Sequence, residues 1–109
     1  MRVYISGPIT GTKDYMERFG WAEDKWLCRG LEVINPAKVN SYLPKSATHA
    51  EYMVTSIAML SICDAIYMLE GWQTSKGAAQ ELEYAKKNNY TILFQGRCEE
   101  FLSLRGGRE

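Results

Sequence analysis

Apolar and polar residues recur along the chain with two different periods, which divide it into short strands and longer helices. The apolar positions Phe19, Ala22, Trp26 and Leu27 follow helical spacing, whereas residues 65–69 form an unbroken apolar run typical of a strand that is covered on both faces. The pattern predicts strands at residues 3–6, 31–34, 65–69 and 91–94. It predicts helices at residues 15–29, 50–63 and 77–88, and a short last helix at residues 99–104.

The segments between these elements carry the signals of turns and loops. Gly30 is placed as a C-cap glycine of the first helix, and Asn88 and Asn89 end the third. Residues 37–48 show no clear period and include Pro44, so they are predicted to form a loop, as are residues 70–76.

The order of the elements, β-α-β-α-β-α-β, predicts an α/β fold with a parallel sheet and right-handed crossovers. In such sheets ligands bind beyond the carboxyl ends of the strands. This rule selects three loops as candidate sites before any motif is considered, namely residues 6–12, 35–38 and 70–76.

Length and charge restrict the function classes. The chain has 109 residues, which fits one domain at residues 1–104 followed by a polar tail at residues 105–109. Its 13 basic residues balance its 13 acidic residues, which argues against a nucleic-acid polymer as partner, because such binding needs a clustered basic face.

The cysteines and the apolar segments indicate where the protein works. Cys28, Cys63 and Cys98 are widely spaced and form no CxxC or Cys/His cluster, so we expect reduced thiols, no metal site and no cofactor. No segment has the length of a membrane span, and the amino-terminal apolar run is too short for a signal peptide. The sequence therefore predicts a cytoplasmic protein with no membrane partner.

The first candidate loop is rich in turn residues. Gly7 and Gly11 allow the backbone to approach a ligand and present its amides, although the segment matches neither GxxxxGK[ST] nor GxGxxG. A strand-to-helix turn that needs glycine and proline for its geometry explains the same residues equally well.

The third candidate loop leads into a helix that combines an anion-binding signal with a carboxylate. Ser75 can cap the helix, or it can hold an anion together with the free amides of the first turn, and Lys76 and Gly77 shift the balance towards the anion. Glu81 lies about one turn further along, where a carboxylate can act as nucleophile or base at a sugar carbon. The ordinary explanation of a lone helical glutamate is a surface position favoured by the helix dipole, and for Glu81 alone that explanation is the commoner one. Glu83 points about 200° around the helix from Glu81 and is not expected to share its site.

Other polar and aromatic residues are weaker candidates. Asp64 lies at the amino end of its strand, which argues for a structural bond rather than catalysis, and His49 precedes a helix, where a solvated or capping role is usual. Trp26 is expected in the core, whereas Tyr4 and Trp72 could line a pocket or stack on a base.

A set of motifs in a fixed order connects the chain with a known family. The set consists of Tyr4-Ile5-Ser6-Gly7-Pro8-Ile9-Thr10-Gly11, Ile34-Asn35-Pro36, Cys63-Asp64-Ala65-Ile66, Gly71-Trp72, Ser75-x-Gly77-Ala78 and Glu81-x-x-x-Ala85. With these motifs the chain resembles the DUF4406 family over roughly residues 2–94. That family is similar to the nucleoside 2-deoxyribosyltransferases and to the 2′-deoxynucleoside 5′-monophosphate N-glycosidases.

The resemblance implies a three-layer flavodoxin-like sandwich with a four- to five-stranded parallel sheet, and a homodimer or higher homo-oligomer. It implies that Tyr4, Gly7 and Pro8 line a nucleoside pocket, that Glu81 attacks the anomeric carbon, and that Ser75 binds the 5′-phosphate. Glu81 and Tyr4 are accordingly the predicted catalytic residues. The predicted substrate-binding residues are Ser6, Gly7, Pro8, Gly11, Asn35, Ser56, Trp72, Ser75 and Gly77.

Two departures from the family pattern keep the function open. Ser56 stands where relatives often have an aspartate that assists the leaving group, and Glu83 replaces a glycine. The leading hypothesis is an N-glycosidase acting on a (deoxy)nucleoside 5′-monophosphate. The alternatives are a nucleoside 2-deoxyribosyltransferase, a non-catalytic nucleotide-binding or sensing module, and a domain that serves only as an interaction surface.

Overall fold

The computed structural model describes residues 1–9 and 11–96. The predicted short helix at residues 99–104, the polar tail and Cys98 lie outside this range. The strands are β1 (Arg2–Ser6), β2 (Glu32–Ile34), β3 (Ala65–Met68) and β4 (Thr91–Phe94). The helices are α1 (Tyr15–Leu27), α2 (Pro36–Asn40), α3 (His49–Leu60) and α4 (Lys76–Lys87), with a 3-10 turn at Trp72–Thr74.

All strand pairs in the sheet are parallel, and the strand order is β2-β1-β3-β4. The chain leaves β1 towards one edge of the sheet and returns to β3 on its other side, so the strand order reverses at β1 and β3. Ser6 and Met68 are register partners and end these two strands. This is the flavodoxin-like α/β architecture that the sequence predicts, and the reversal marks the carboxyl edge at β1 and β3 as the place for a ligand.

Alternation along β1 divides the core between the two faces of the sheet. Val3 and Ile5 pack with Phe19, Ala22 and Trp26 of α1 on one face. Tyr4 points to the other face, which is covered by Leu60 of α3 and the apolar positions of α4. Helices therefore cover both faces, as the three-layer sandwich requires.

The sequence predicted a continuous loop at residues 37–48. In the structure the first part of this segment belongs to α2, which begins at Pro36. The Asn35 side chain accepts a hydrogen bond from the Ala37 amide at 3.0 Å, and Pro36 occupies the first helical position, where its missing N–H costs nothing. A helix of five residues is too short to show a period, so its cap is its only signal.

Smaller corrections concern the ends of elements. The predicted loop at residues 70–76 contains the 3-10 turn, and α3 ends at Leu60 rather than at residue 63. Leu27 was placed on the buried face of α1, but it is 48% exposed, because Trp26 occupies the inward position at the end of that helix. Within the described residues, none of the helices is long and apolar enough to cross a membrane.

Candidate functional site

A buried carboxylate lies at the carboxyl end of β1. Glu81 is 7% exposed, and each of its two oxygens accepts one hydrogen bond from a hydroxyl group. Tyr4 donates to Oε2 and Ser6 donates to Oε1, both at 2.5 Å. The two donors hold the carboxylate plane in a defined orientation, which a reacting group requires.

Local periodicity brings these three side chains together. Tyr4 and Ser6 are two positions apart in β1 and therefore point to the same face of the sheet. The buried positions of α4 are Ala78, Glu81, Leu82 and Ala85, so Glu81 belongs to the apolar stripe of its helix. The ordinary explanation of Glu81 as a surface residue is therefore wrong. The signal that identifies it in the sequence is a charged residue at a position where helical spacing demands an apolar one.

Glu83, on the same helix, is exposed, whereas Glu81 is buried. Its side chain therefore points away from the site, as the sequence predicted. Asp64 accepts a hydrogen bond from the Arg2 amide at 2.9 Å, at the amino end of the sheet, which confirms its structural bond.

Burial dominates the electrostatics of the site. It raises the pKa of Glu81 to about 7, although the hydrogen bonds from Ser6 and Tyr4 act in the opposite direction. Burial also raises the pKa of Tyr4 well above its usual value, and the neighbouring Glu81 carboxylate adds to this effect. Tyr4 therefore remains a neutral hydrogen-bond donor, whereas Glu81 changes its charge close to neutral pH.

Ser56 lies beside Tyr4 on the same face. It is 5% exposed, and its oxygen accepts a bond of 3.2 Å from the Asn40 side chain. It acts to lower the pKa of Tyr4, against the larger effect of burial. Asn40 is absent from the residues that the sequence analysis selected, because it belongs to the unpredicted helix α2.

Ser75 caps α4, as predicted, by accepting a hydrogen bond from the Ala78 amide at 3.1 Å. Gly77, in the first turn, lies against α3: a Cβ atom there would be 3.3 Å from Met53 Sδ and 3.5 Å from His49 Cε1. His49 is exposed, in agreement with the sequence.

The first loop is shaped by close packing. A Cβ atom on Gly7 would be 2.8 Å from the Leu69 Cβ, so a larger residue there would force β1 or Leu69 to shift. Pro8 is buried and faces Gly71 of the third loop. Gly11 has a φ of 78° and is an exposed turn residue, and a Cβ atom there would have no other described residue within 4 Å apart from its chain neighbours.

Asn35 is held by the fold on the side of α1. Its Oδ1 caps α2, and its Nδ2 donates to the Glu23 carboxylate at 3.1 Å, so both ends of the amide are engaged.

Trp26 and Trp72 lie in different environments. Trp26 is fully buried and packs edge-on against Tyr67, which confirms its place in the core. Trp72 is half-buried, with its ring 6.2 Å from that of Phe94, and it lines a pocket of about 310 Å³ beyond β3 and β4.

A second depression, an open groove of about 690 Å³, separates α3 from α4. Its walls are apolar, with Met53, Val54 and Ile57 from α3. Lys76 and Gln80 line it from α4, so it adjoins the helix that carries Glu81. The part of the chain that the structure describes contains no group of three His, Cys, Asp or Glu residues able to hold a metal ion.

Comparison with known proteins agrees with this architecture. The model of the family described as "Domain of unknown function (DUF4406)" matches residues 1–94. No curated protein matches the sequence. Among solved structures, a 2-deoxyribosyltransferase from the psychrotolerant bacterium Bacillus psychrosaccharolyticus, described as a biocatalyst for the synthesis of nucleosides, superposes with a TM-score of 0.70. The match covers 86% of this chain and 71% of that one at 13% identity, and it shows a shared fold.

Proposed function

This chain belongs to the DUF4406 family, and from that premise we propose that it is an N-glycosidase of (deoxy)nucleoside 5′-monophosphates. The observation that carries the proposal is the carboxylate of Glu81, buried and oriented by the hydroxyls of Tyr4 and Ser6. A carboxylate in this setting has the chemistry of a glycosidase nucleophile. The solved 2-deoxyribosyltransferase, which shares the fold, supports a nucleoside-like substrate.

In the proposed reaction, one Glu81 oxygen attacks C1′ of the sugar as the bond to the base breaks. The bonding electrons leave with the base nitrogen, which takes a proton from solvent, and a glycosyl ester forms on Glu81. Water then attacks C1′ and gives up one proton to solvent as the ester bond to Glu81 breaks, and the products are the sugar 5-phosphate and the free carboxylate. Tyr4 and Ser6 hold the carboxylate during both steps, and Ser56 supplies no acid, because a hydroxyl does not ionise in this range.

The 5′-phosphate is assigned to the start of α4, where Ser75, Lys76 and Gly77 combine a hydroxyl, a positive charge and backbone amides at a helix N-terminus. We therefore predict that Ser75→Ala raises KM for a monophosphate about tenfold, with a much smaller effect on the matching nucleoside. Equal weakening of both substrates would show that Ser75 is a helix cap only.

The direct test is chromatographic. Wild type and Glu81→Gln are incubated with a panel of ribo- and deoxynucleoside monophosphates, and free base is quantified. Glu83→Gln is the matched control, because it makes the same change on the exposed side of the same helix. Base released by wild type and by Glu83→Gln, but not by Glu81→Gln, is the expected result. Release by Glu81→Gln at the wild-type rate would remove Glu81 from the mechanism.

Addition of a free acceptor nucleobase to the assay distinguishes hydrolysis from transfer, because only a deoxyribosyltransferase makes a new nucleoside. Sedimentation of the same preparation tests the homo-oligomer that we expect.

A non-catalytic nucleotide-binding module is the second candidate, and one observation favours it. Ser56, where relatives often have an acid, is buried and bonded to Asn40 rather than free to serve a leaving group. Saturable binding of a monophosphate by calorimetry, with no base released from any substrate, would establish this module in place of the enzyme.

A further inference from the structure

A chain of buried polar side chains runs from α2 to Glu81. The Asn40 Nδ2 donates to Ser56 Oγ at 3.2 Å, and Tyr4 Oη donates to Glu81 Oε2 at 2.5 Å. Between them, the Ser56 side chain neighbours Tyr4 and acts to lower the pKa of Tyr4, against the larger effect of burial. The four residues belong to four different elements, and none is more than 8% exposed. A polar chain placed this deeply is costly unless every member is satisfied.

The residues at the two ends of this series of polar side chains, Asn40 and Glu81, determine the direction in which its hydroxyl groups donate. An amide nitrogen only donates, and an ionised carboxylate only accepts. Because Asn40 already donates to Ser56, the single proton of Ser56 is left for Tyr4, and the proton of Tyr4 is left for Glu81. Hydrogen bonds in series polarise one another, so Tyr4 becomes a stronger donor to the carboxylate.

We propose that Asn40 is a positioning residue for Glu81, acting through Ser56 and Tyr4 to hold the phenol proton on the carboxylate. The functional meaning of this inference rests on the proposed function, in which ionised Glu81 is the nucleophile. Loss of the chain weakens the bond from Tyr4, disfavours the ionised form and raises the pKa of Glu81.

The orientation of the Asn40 amide decides the direction of the chain. Asn40 Oδ1 lies 2.9 Å from Thr55 Oγ1, whose single proton it shares with the Tyr52 carbonyl oxygen, also at 2.9 Å, and Asn40 Nδ2 faces Ser56. The opposite orientation would present Oδ1 to Ser56 and draw its proton away from Tyr4. Asn40→Asp imitates that opposite orientation, because it is nearly isosteric and presents an acceptor to Ser56.

The pKa of Glu81 is the quantity that tests this proposal, and a small set of groups influences it. Burial raises the pKa of Glu81, and the hydroxyls of Ser6 and Tyr4 act in the opposite direction. Cys63 contributes to the pKa of Tyr4 in turn, and its own pKa is raised by burial to about 11, so it stays neutral across the range of interest.

The experiment is a titration of the Glu81 carboxyl carbon by NMR, assigned by comparison with Glu81→Gln. Ser56→Ala and Asn40→Asp are each expected to raise the pKa of Glu81 by about half a unit or more, since a hydrogen bond of this kind is worth roughly 1 kcal/mol. Ser61→Ala is the control for the first variant, being the same change at an exposed position after α3. Ser41→Asp, exposed beside Asn40, controls for added charge.

The outcomes separate clearly. A pKa that is unchanged in folded Ser56→Ala overturns the proposal, and so does an effect of Asn40→Asp no larger than that of Ser41→Asp. Ser56→Thr restores the hydroxyl and should restore the wild-type pKa. Because the titration needs no substrate, a shifted pKa without base release would contradict the proposed function and leave the hydrogen-bond chain established.

Discussion

At the scale of single residues, the protein is organised around the conflict between burial and charge at Glu81. A buried carboxylate loses its hydration, and this loss raises the pKa of Glu81. The two hydrogen bonds from Ser6 and Tyr4 compensate only in part, so the pKa lies at about 7 instead of 4.5. A nucleophile needs the ionised form, whereas burial favours the neutral one. Near neutral pH, Glu81 is therefore ionised in only part of the molecules.

This balance predicts the pH dependence of turnover. In the proposed reaction only ionised Glu81 attacks, so kcat/KM should rise about tenfold per pH unit below 7 and level off above it. Measurement of kcat/KM from pH 5 to pH 9 checks this. In Ser6→Ala the inflection should move to higher pH, because Ser6 is one of the two donors that lower the pKa of Glu81. A profile without inflection between pH 5.5 and pH 8 would show that a different group controls the reaction.

The same conflict predicts that Glu81→Gln stabilises the fold. Because the folded pKa lies above the unfolded value of 4.5, the folded state binds more protons between pH 4.5 and pH 7, and stability falls as pH rises through this window. At pH 8 the ionised residue costs up to about 3 kcal/mol. Glutamine is neutral, so the variant should exceed wild type by about 1–3 kcal/mol at pH 8 and by much less at pH 5.

Urea unfolding at the two pH values measures this difference, with Glu83→Gln as the exposed control on the same helix. A Glu81→Gln variant that is less stable than wild type at pH 8 would mean that the carboxylate holds the fold together rather than working against it.

At the scale of elements, the turn after β1 shows how sterics position the site. Gly7 follows Ser6 directly, and a Cβ atom on it would collide with the Leu69 side chain, whose Cβ lies 2.8 Å away. Gly7→Ala should therefore shift the end of β1, lower stability by about 2 kcal/mol and reduce turnover through Ser6.

The control for this variant is Gly20→Ala, inside α1, where no atom of the described residues outside the helix's own backbone lies within 4 Å of the added carbon. There alanine should stabilise the fold by up to about 1 kcal/mol, because glycine is a poor helix former. Thermal unfolding of both variants gives the comparison, and a neutral effect of Gly7→Ala would contradict the packing argument.

Elements also show how far sequence reasoning reaches. Repeated apolar positions identified all four strands and the three longer helices, because each period continues for several residues. Helix α2 was missed, since five residues with a proline start carry too little pattern. Asn40 was missed with it. Glu81 was a candidate from its place in the helix, but its assignment as a catalytic residue together with Tyr4 came from a family resemblance. The bond between the two joins residues 77 positions apart, which no local pattern reports.

At the scale of the whole molecule, the parallel sheet places the polar residues of the candidate site at one edge and polar residues with a structural role at the other. All four strands end at one edge, where Ser6 and Glu81 lie and where the chain reverses direction between β1 and β3. At the opposite edge, the Arg2 amide of β1 donates a hydrogen bond of 2.9 Å to the side-chain carboxylate of Asp64, just before β3. A ligand-binding role is expected at the first edge and a purely structural one at the second.

Asp64→Ala should therefore lower stability without changing the chemistry. The lost bond to the Arg2 amide is solvent-exposed and worth about 1 kcal/mol, and the backbone bonds that pair β3 with its neighbours remain. Ser6→Ala, at the other end of the same β1 strand, should instead lower turnover at least tenfold, because it removes a donor that orients Glu81. Urea unfolding and base release, measured on both variants, separate the two effects. If Asp64→Ala lost turnover at a temperature where it is fully folded, the two edges of the sheet would be coupled, and the site would extend further through the molecule than Tyr4, Ser6 and Glu81.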